Sequence, residues 1–161
     1  MDTKECDSAF WTEKYNLLRL KTAEFCDGKI NSTELKKFSA PLGIYEQRNG
    51  KFMVRVRVTA GDIRLSELRK LADISIENNV EYIHITTRQC LQLHNVSPEN
   101  IHSIVQSCND SGIPFRGGGG DTYRNIIACH HSGISEKTVF DTTPYAKALN
   151  EFMFSYEKAF A

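Results

Sequence analysis

The chain has 161 residues, of which 40% are hydrophobic and 25% charged, and its 20 Lys plus Arg balance 20 Asp plus Glu to a formal net charge of zero. This near-average globular composition excludes a disordered, collagenous or coiled-coil chain, the balanced charge carries no bulk signature of a nucleic-acid binder, and no stretch approaches the ~20 continuous apolar residues of a membrane helix. The polar start Met1-Asp2-Thr3-Lys4-Glu5-Cys6 shows no secretory signal, and the five cysteines, at 6, 26, 90, 108 and 129, form no CxxC pair, so they are expected to be reduced thiols in the cytoplasm.

Residues 8 to 40 carry a helical pattern: Phe10, Trp11, Tyr15, Leu17, Leu18 and Leu20 predict one amphipathic helix and Thr33 to Phe38 a second, ended by Ala40-Pro41-Leu42-Gly43. This region, 1–43, is read as a helical arm that docks on the main body or on a partner. Residues 51 to 59 then alternate, with Phe52, Val54, Val56 and Val58 on one face and Met53, Arg55, Arg57 and Thr59 on the other, which predicts a strand. A helix over roughly 64 to 78 follows from Leu65, Leu68, Leu71, Ala72 and Ile76, and Asn78-Asn79 ends it. Strands are expected at Glu81 to Thr87, with Ile83 and Ile85 sharing the core face, and at Cys90 to Asn95, with Leu91 and Leu93 inward. Ser97 and Pro98 signal the start of another helix, with Ile101, Ile104, Val105 and Cys108 as its buried stripe. A fourth strand is expected to begin at Ile113-Pro114-Phe115.

The order β-α-β-β-α-β over 44–116 predicts an α+β, ferredoxin-like antiparallel sheet with both helices on one face. Residues 117–161 are read as a separate beginning. They comprise a Gly117-Gly118-Gly119-Gly120-Asp121 run, an apolar stretch through Cys129, and a last helix over about 144 to 160 lined by Leu149, Phe152, Tyr156 and Phe160.

The chemistry-bearing side chains gather on the face of the sheet opposite the helices. Same-face Arg55 and Arg57 repel one another unless an anion lies between them. Arg88, Gln89, Gln92 and His94 add guanidinium, amide and imidazole donors on the next two strands, while nearby acids, Glu67, Asp73 and Glu77, sit on a helix. A neutral chain can thus present a positive, donor-rich surface. The ordinary reading of each residue alone is a solvated outer face; the combination points to an anion site. No Walker or Rossmann loop accompanies the glycines. Neighbouring Cys129-His130-His131 on an extended segment chelate poorly, and no second cluster supplies further ligands, so no metal residues are assigned.

Three segments resemble the assimilatory sulfite and nitrite reductases. Lys51-Phe52-Met53-Val54-Arg55-Val56-Arg57-Val58 is similar to their first strand. Thr86-Thr87-Arg88-Gln89 running into Gln92-Leu93-His94 is similar to their next signature. Gly119-Gly120-Asp121-Thr122-Tyr123-Arg124-Asn125, with Cys129 shortly after, is similar to a third. The resemblance spans roughly residues 40 to 161. It implies a ferredoxin-like half-domain beside a domain holding sirohaem and a 4Fe–4S cluster, with six-electron reduction of sulfite to sulfide or nitrite to ammonia. By the same resemblance, Arg55 and Arg124 hold the anionic substrate, and Arg57, Arg88, Gln92, His94 and Asn125 lie around the sirohaem carboxylates. Arginine suits that task because it stays charged and presents a fork of donors.

The family's two close pairs of cluster cysteines and its downstream substrate lysines have no counterpart here. The expectation is therefore an N-terminal part of a reductase, inactive alone, whose partners are sulfite or nitrite, a missing C-terminal half and, through an uncovered edge, a second copy. Two rival classes are a nucleic-acid-binding ferredoxin-like domain, which needs exposed stacking aromatics where these strands offer only Tyr82, and a small-ligand regulatory domain. With no run of basic charge and no membrane span, neither nucleic acid nor a membrane is expected as a partner.

Overall fold

The computed structural model describes residues 3–113, 122–136 and 138–160, with the side chains of 3–11 and 157–160 outside the description. Helix α1 (Thr3–Cys26) and helix α2 (Ser32–Ser39) precede a 3-10 turn and strand β1 (Ile44–Glu46). Strand β2 (Phe52–Arg57), helix α3 (Leu65–Glu77), strands β3 (Tyr82–Ile85) and β4 (Cys90–Val96), and helix α4 (Ile101–Asp110) follow, and helix α5 (Thr143–Phe160) closes the chain. Among the described residues, no helix is long and apolar enough to cross a membrane.

The sheet is four-stranded and antiparallel, in the order β1-β2-β4-β3. The expected α+β architecture is present, but the edge beside β2 is taken by β1, a three-residue strand too short to declare a period. The strand expected from Ile113-Pro114-Phe115 lies outside the described residues apart from Ile113, which is buried in the core without strand pairing. The Gly117–Asp121 run lies outside them as well.

One core joins helices α1 to α4 to one face of the sheet. Phe52, Val54, Val56, Leu91 and Leu93 pack with Leu71 and Ile74 of α3 and with Ile101, Ile104, Val105 and Cys108 of α4. The first helices belong to the same core. Tyr15 and Leu18 of α1 and Leu35 of α2 are buried in it, so this region docks on the main body. Phe10 and Trp11 lie among the side chains outside the description.

Local chemistry sets most element ends. Asn31 opens α2 with a reciprocal cap: its Oδ1 accepts from the Glu34 N–H at 3.0 Å, and Glu34 Oε2 accepts from the Asn31 N–H at 2.9 Å. Asn78 ends α3, its Nδ2 donating to the Ile74 carbonyl at 2.8 Å. Ser97 makes no side-chain cap, and Pro98 starts a 3-10 turn (Pro98–Asn100) instead of α4 itself. At α5 the Thr143 N–H donates to Asp141 Oδ1 at 2.9 Å, which pulls the Asp141 carboxyl below the usual carboxylate range.

Three expected faces differ. Ile85 pairs with Leu91 in register yet is 76% exposed, because it sits at the end of an edge strand beyond the helical cover. In α3, Leu71, Ile74 and Ser75 face inward, while Leu65, Leu68 and Ile76 are exposed. In α5 the buried residue is Ala146, and Leu149, Phe152 and Tyr156 are exposed; Phe160 lies outside the described side chains.

Candidate functional site: the open face of the sheet

The pleat puts alternate residues of each strand on the face opposite helices α1 to α4. The register defines its cross-strand rows: Arg55 on β2 lies opposite Gln92 on β4, which lies opposite His84 on β3. Arg57 faces Cys90, and Tyr82 faces His94, the phenol and imidazole rings stacking at 4.8 Å and 8°. With Tyr45 of β1 and Met53 of β2, these residues make a face whose described strand residues include no carboxylate.

A hydrogen-bond chain fixes the imidazole. Gln47 Nε2 donates to His94 Nδ1 at 2.9 Å, so the other ring nitrogen carries the proton and donates to Gln92 Oε1 at 3.2 Å. That tautomer is assigned from the network. Burial, with the neighbouring His84 charge, pushes His94 below the usual imidazole range, consistent with a neutral ring. Gln92 is thereby held by its oxygen, which leaves its two N–H donors at the other end of the amide.

The segment 122–128 crosses this face and carries the described part, Thr122 to Asn125, of the third sequence signature. Arg57 is only 2% exposed. Its Nη2 donates to the Tyr123 carbonyl at 2.9 Å, and its Cζ lies 3.9 Å from the Tyr123 ring centre and 5.2 Å from that of Phe154 in α5. Tyr123 in turn donates its hydroxyl to Asn150 Oδ1 at 3.0 Å, so β2, this segment and α5 are joined through one buried guanidinium. Asn125 is buried, its Nδ2 donating to the carbonyls of Val58 at 2.9 Å, Arg88 at 2.9 Å and Gln89 at 3.0 Å. Arg88 Nη2 reaches the Asn125 carbonyl at 3.4 Å.

The structure brings the arginines to one region. Arg55 Cζ lies 5.9 Å from the Tyr45 ring centre. Burial raises the Tyr45 phenol above its ordinary value, and the charges of Arg55 and Arg124 act against that rise, which places Arg124 within electrostatic reach of the same ring. Burial likewise raises the Cys90 thiol, opposed by a Val58 backbone hydrogen bond and the charges of Arg55, Arg57 and Arg88. Arg88 and Arg124 are exposed, Arg55 is half-buried, and Arg57 is covered. Such an arrangement offers fixed positive charge and directed N–H donors to an anion. Cys129, His130 and His131 are exposed, with the two imidazoles 4.1 Å apart. Among the described residues, no group of three or more His, Cys, Asp or Glu is placed to hold a metal ion.

Residues 45–110 match the description of the nitrite/sulfite reductase ferredoxin-like half domain. The chain carries that half domain. It is 30% identical over 115 residues to an assimilatory ferredoxin-dependent nitrite reductase of Haloferax mediterranei, covering 63% of this chain and 20% of that one. It is 31% identical over 113 residues to the sulfite reductase [NADPH] hemoprotein beta-component of Shewanella pealeana, covering 68% of this chain and 20% of that one. Among solved structures, the Mycobacterium tuberculosis NirA protein superposes with a TM-score of 0.66 at 25% identity, over 77% of this chain and 26% of that chain. The chain spans about a fifth of the length of the curated relatives it matches. The half domain's matched span holds Arg55, Arg57, Arg88, Gln92 and His94; Arg124 and Asn125 lie beyond it, on the segment laid across its open face.

Sequence reasoning missed Tyr45, Gln47 and Phe154. Tyr45 and Gln47 sit on and beside a strand with no visible alternation, and Phe154 meets Arg57 across 97 positions. Tyr123 stood inside a quoted signature, but nothing local announces that its ring covers an arginine.

Proposed function

We propose that this chain supplies the anion-holding face of sirohaem-dependent sulfite or nitrite reduction. The observation that supports this reading best is the clustering of Arg55, Arg88 and Arg124 with Gln92 and His94 on a face without a carboxylate among its described strand residues, in a domain matched to that reductase family. The donor chemistry fits a cofactor rich in carboxylates: guanidinium forks, an amide presenting its N–H end and an oriented imidazole. In this proposal Arg88, Gln92 and His94 hold sirohaem carboxylates, and Arg55 and Arg124 hold sulfite or nitrite. When bound, sirohaem with its iron–sulfur cluster would relay the electrons of the six-electron reduction from an external donor.

The chain's own residues then bind and orient. Positive charge fixed before the anion arrives stabilises it with little reorganisation. Arg57 and Asn125, grouped by resemblance with the carboxylate-binding residues, contribute by holding the segment that carries Arg124, since both donate to backbone carbonyls. Cluster ligation is assigned to no described residue of this chain, and the share of the reaction proposed for it is anion and cofactor binding.

The test is titration of sirohaem into the purified chain, followed by absorbance, against Arg55→Ala and Arg88→Ala. Saturable binding weakened at least tenfold in Arg88→Ala is the expected result, one such step corresponding to about 1.4 kcal/mol. Equal binding by all three proteins would remove this face from the cofactor site.

A further inference from the structure

Gln89 ends the β3–β4 turn, its N–H donating to the Thr86 carbonyl at 3.0 Å. Its backbone is left-handed, with φ 54°. Glycine adopts that conformation without strain and glutamine does not, so something outside the turn has to explain the side chain. Gln89 Nε2 donates to the Ala128 carbonyl at 2.8 Å, and the Ala128 N–H donates back to Gln89 Oε1 at 3.0 Å. The side-chain amide thus pairs with the backbone of residue 128 as a neighbouring strand would. The same side chain lies across Gly61, where a Cβ would come within 3.3 Å of Gln89 Cδ.

The other end of this contact shows the same signature. Ala60 is also left-handed, with φ 59°, and its N–H donates to the Ile126 carbonyl at 2.9 Å. The remaining left-handed residues that are not glycine, among those described, are Asn79 and Asn95, of a type that tolerates the conformation. The two residues least suited to it are therefore the two that grip the 126–128 segment. Unfavourable backbone held in place by its surroundings is a pointer to function. The Asn125 amide lies between these contacts, on three carbonyls from the ends of β2 and of the β3–β4 turn.

We infer that Gln89, acting with Asn125, is a positioning residue: it clamps the 125–128 backbone to the β3–β4 turn and so sets where neighbouring Arg124 stands over the sheet. The inference rests on the anion-holding reading for the meaning of Arg124 but on geometry alone for the clamp. Gln89 touches no substrate in this scheme and acts through backbone.

Gln89→Gly is the discriminating variant, because it relieves the turn while deleting the clamp. The unfolding midpoint and amide exchange in β2 and β4 are expected to stay as in the parent. Exchange at Ala128 and Ala60 should rise about tenfold, as expected when one or two hydrogen bonds of a local opening are lost. In a sulfite titration followed by arginine side-chain NMR, the Arg124 response should weaken about fivefold with that of Arg55 unchanged. A second variant guards the result. Gln89→Glu keeps the acceptor for the Ala128 N–H at every pH and loses the donor to the Ala128 carbonyl once its carboxyl ionises, so protection at Ala128, taken relative to the parent at the same pH, should be parent-like in acid and fall at neutral pH by less than in Gln89→Gly. Unchanged exchange at Ala128 in Gln89→Gly would overturn the clamp. So would equal acceleration of every amide, or equal weakening at Arg55 and Arg124, because each describes general loosening. If no arginine of the parent protein responds to sulfite, the anion reading falls, and the exchange measurements still decide the clamp.

Discussion

Arg55 and Arg57 share a strand, a face and a residue type, yet the structure gives them opposite roles, and substituting each by alanine separates them. Arg57 is buried, donates a charge-assisted hydrogen bond to the Tyr123 carbonyl, and lies within 6 Å of two aromatic ring centres. Losing that hydrogen bond and leaving the carbonyl buried costs about 2 kcal/mol, and the ring contacts add about 1 kcal/mol. Arg57→Ala should therefore lower stability by ~3 kcal/mol, and with a urea slope of ~1.5 kcal/mol per M its midpoint falls by about 2 M. Arg55 is half-buried with its guanidinium 5.9 Å from one ring, so Arg55→Ala should cost less than about 1 kcal/mol. Arg57→Lys keeps the charge and loses the flat, stacked guanidinium, and it falls between the two. The assay is urea unfolding followed by far-ultraviolet circular dichroism, with Tyr123→Leu added to complete a double-mutant cycle whose coupling should be about 1 kcal/mol. A midpoint shift for Arg57→Ala no larger than that for Arg55→Ala would refute the claim that the buried guanidinium joins β2 to the 122–128 segment.

Leu93→Ala should destabilise by ~3 kcal/mol from the centre of the core, whereas Ile85→Ala should stay within ~0.5 kcal/mol because its side chain is exposed; similar unfolding midpoints for the two would contradict the assigned burial. Alkylation of the native protein should modify exposed Cys26 and Cys129 first and leave Cys108 untouched, since burial pushes that thiol up to about 12; peptide mapping reads the order. The sign for Cys108 follows: its folded value is raised, so its contribution is fully present below the ordinary 9.0 and is lost as pH climbs from there toward about 12. His94 runs the other way. Its folded value is depressed by burial and by His84, so the stability tied to the neutral ring is present above the ordinary 6.5 and is lost as pH falls through the lower folded value. Imidazole NMR should find His94 titrating below the ordinary 6.5, and a value above it would contradict the Gln47–His94–Gln92 chain. Incubation of the chain with iron and sulfide should yield no 4Fe–4S spectrum, because such a cluster needs four thiolates close together and the described cysteines are split between the core and separate surface positions; a stable four-iron product would overturn that reasoning.

The sheet was legible where alternation and burial coincide. Phe52, Val54 and Val56 repeat every second residue and pack where the period puts them, and Leu91 and Leu93 do the same. Alternation assigns a face but not its cover, which is why Ile85 sits on the core side in register and is nevertheless exposed. Helical periodicity has the same limit. Apolar residues surround much of α3, so a pattern through Leu65, Leu68, Leu71, Ala72 and Ile76 fits as well as the observed arc through Leu71, Ile74 and Ser75. In α5 the stripe of Leu149, Phe152 and Tyr156 marks where apolar side chains stand, and within this chain the covered arc lies beside it, through Ala146, Asn150, Met153 and Phe154. For the site, the Arg55–Gln92 row follows from two strand periods and an antiparallel pairing. The contacts of Arg57 with Tyr123 and of Gln89 with Ala128 join positions 66 and 39 apart, and no local rule reports contacts of that separation.

Arginine side-chain NMR during a sulfite titration of the parent chain tests the central claim most directly, because it reads each guanidinium separately. Arg55, Arg88 and Arg124 should shift together along one saturable curve, while Arg57, covered by Tyr123 and Phe154, Arg19 on α1, and Arg64, paired with Glu67, hold still. Shifts spread evenly over all the arginines, or confined to those outside the open face, would contradict the account.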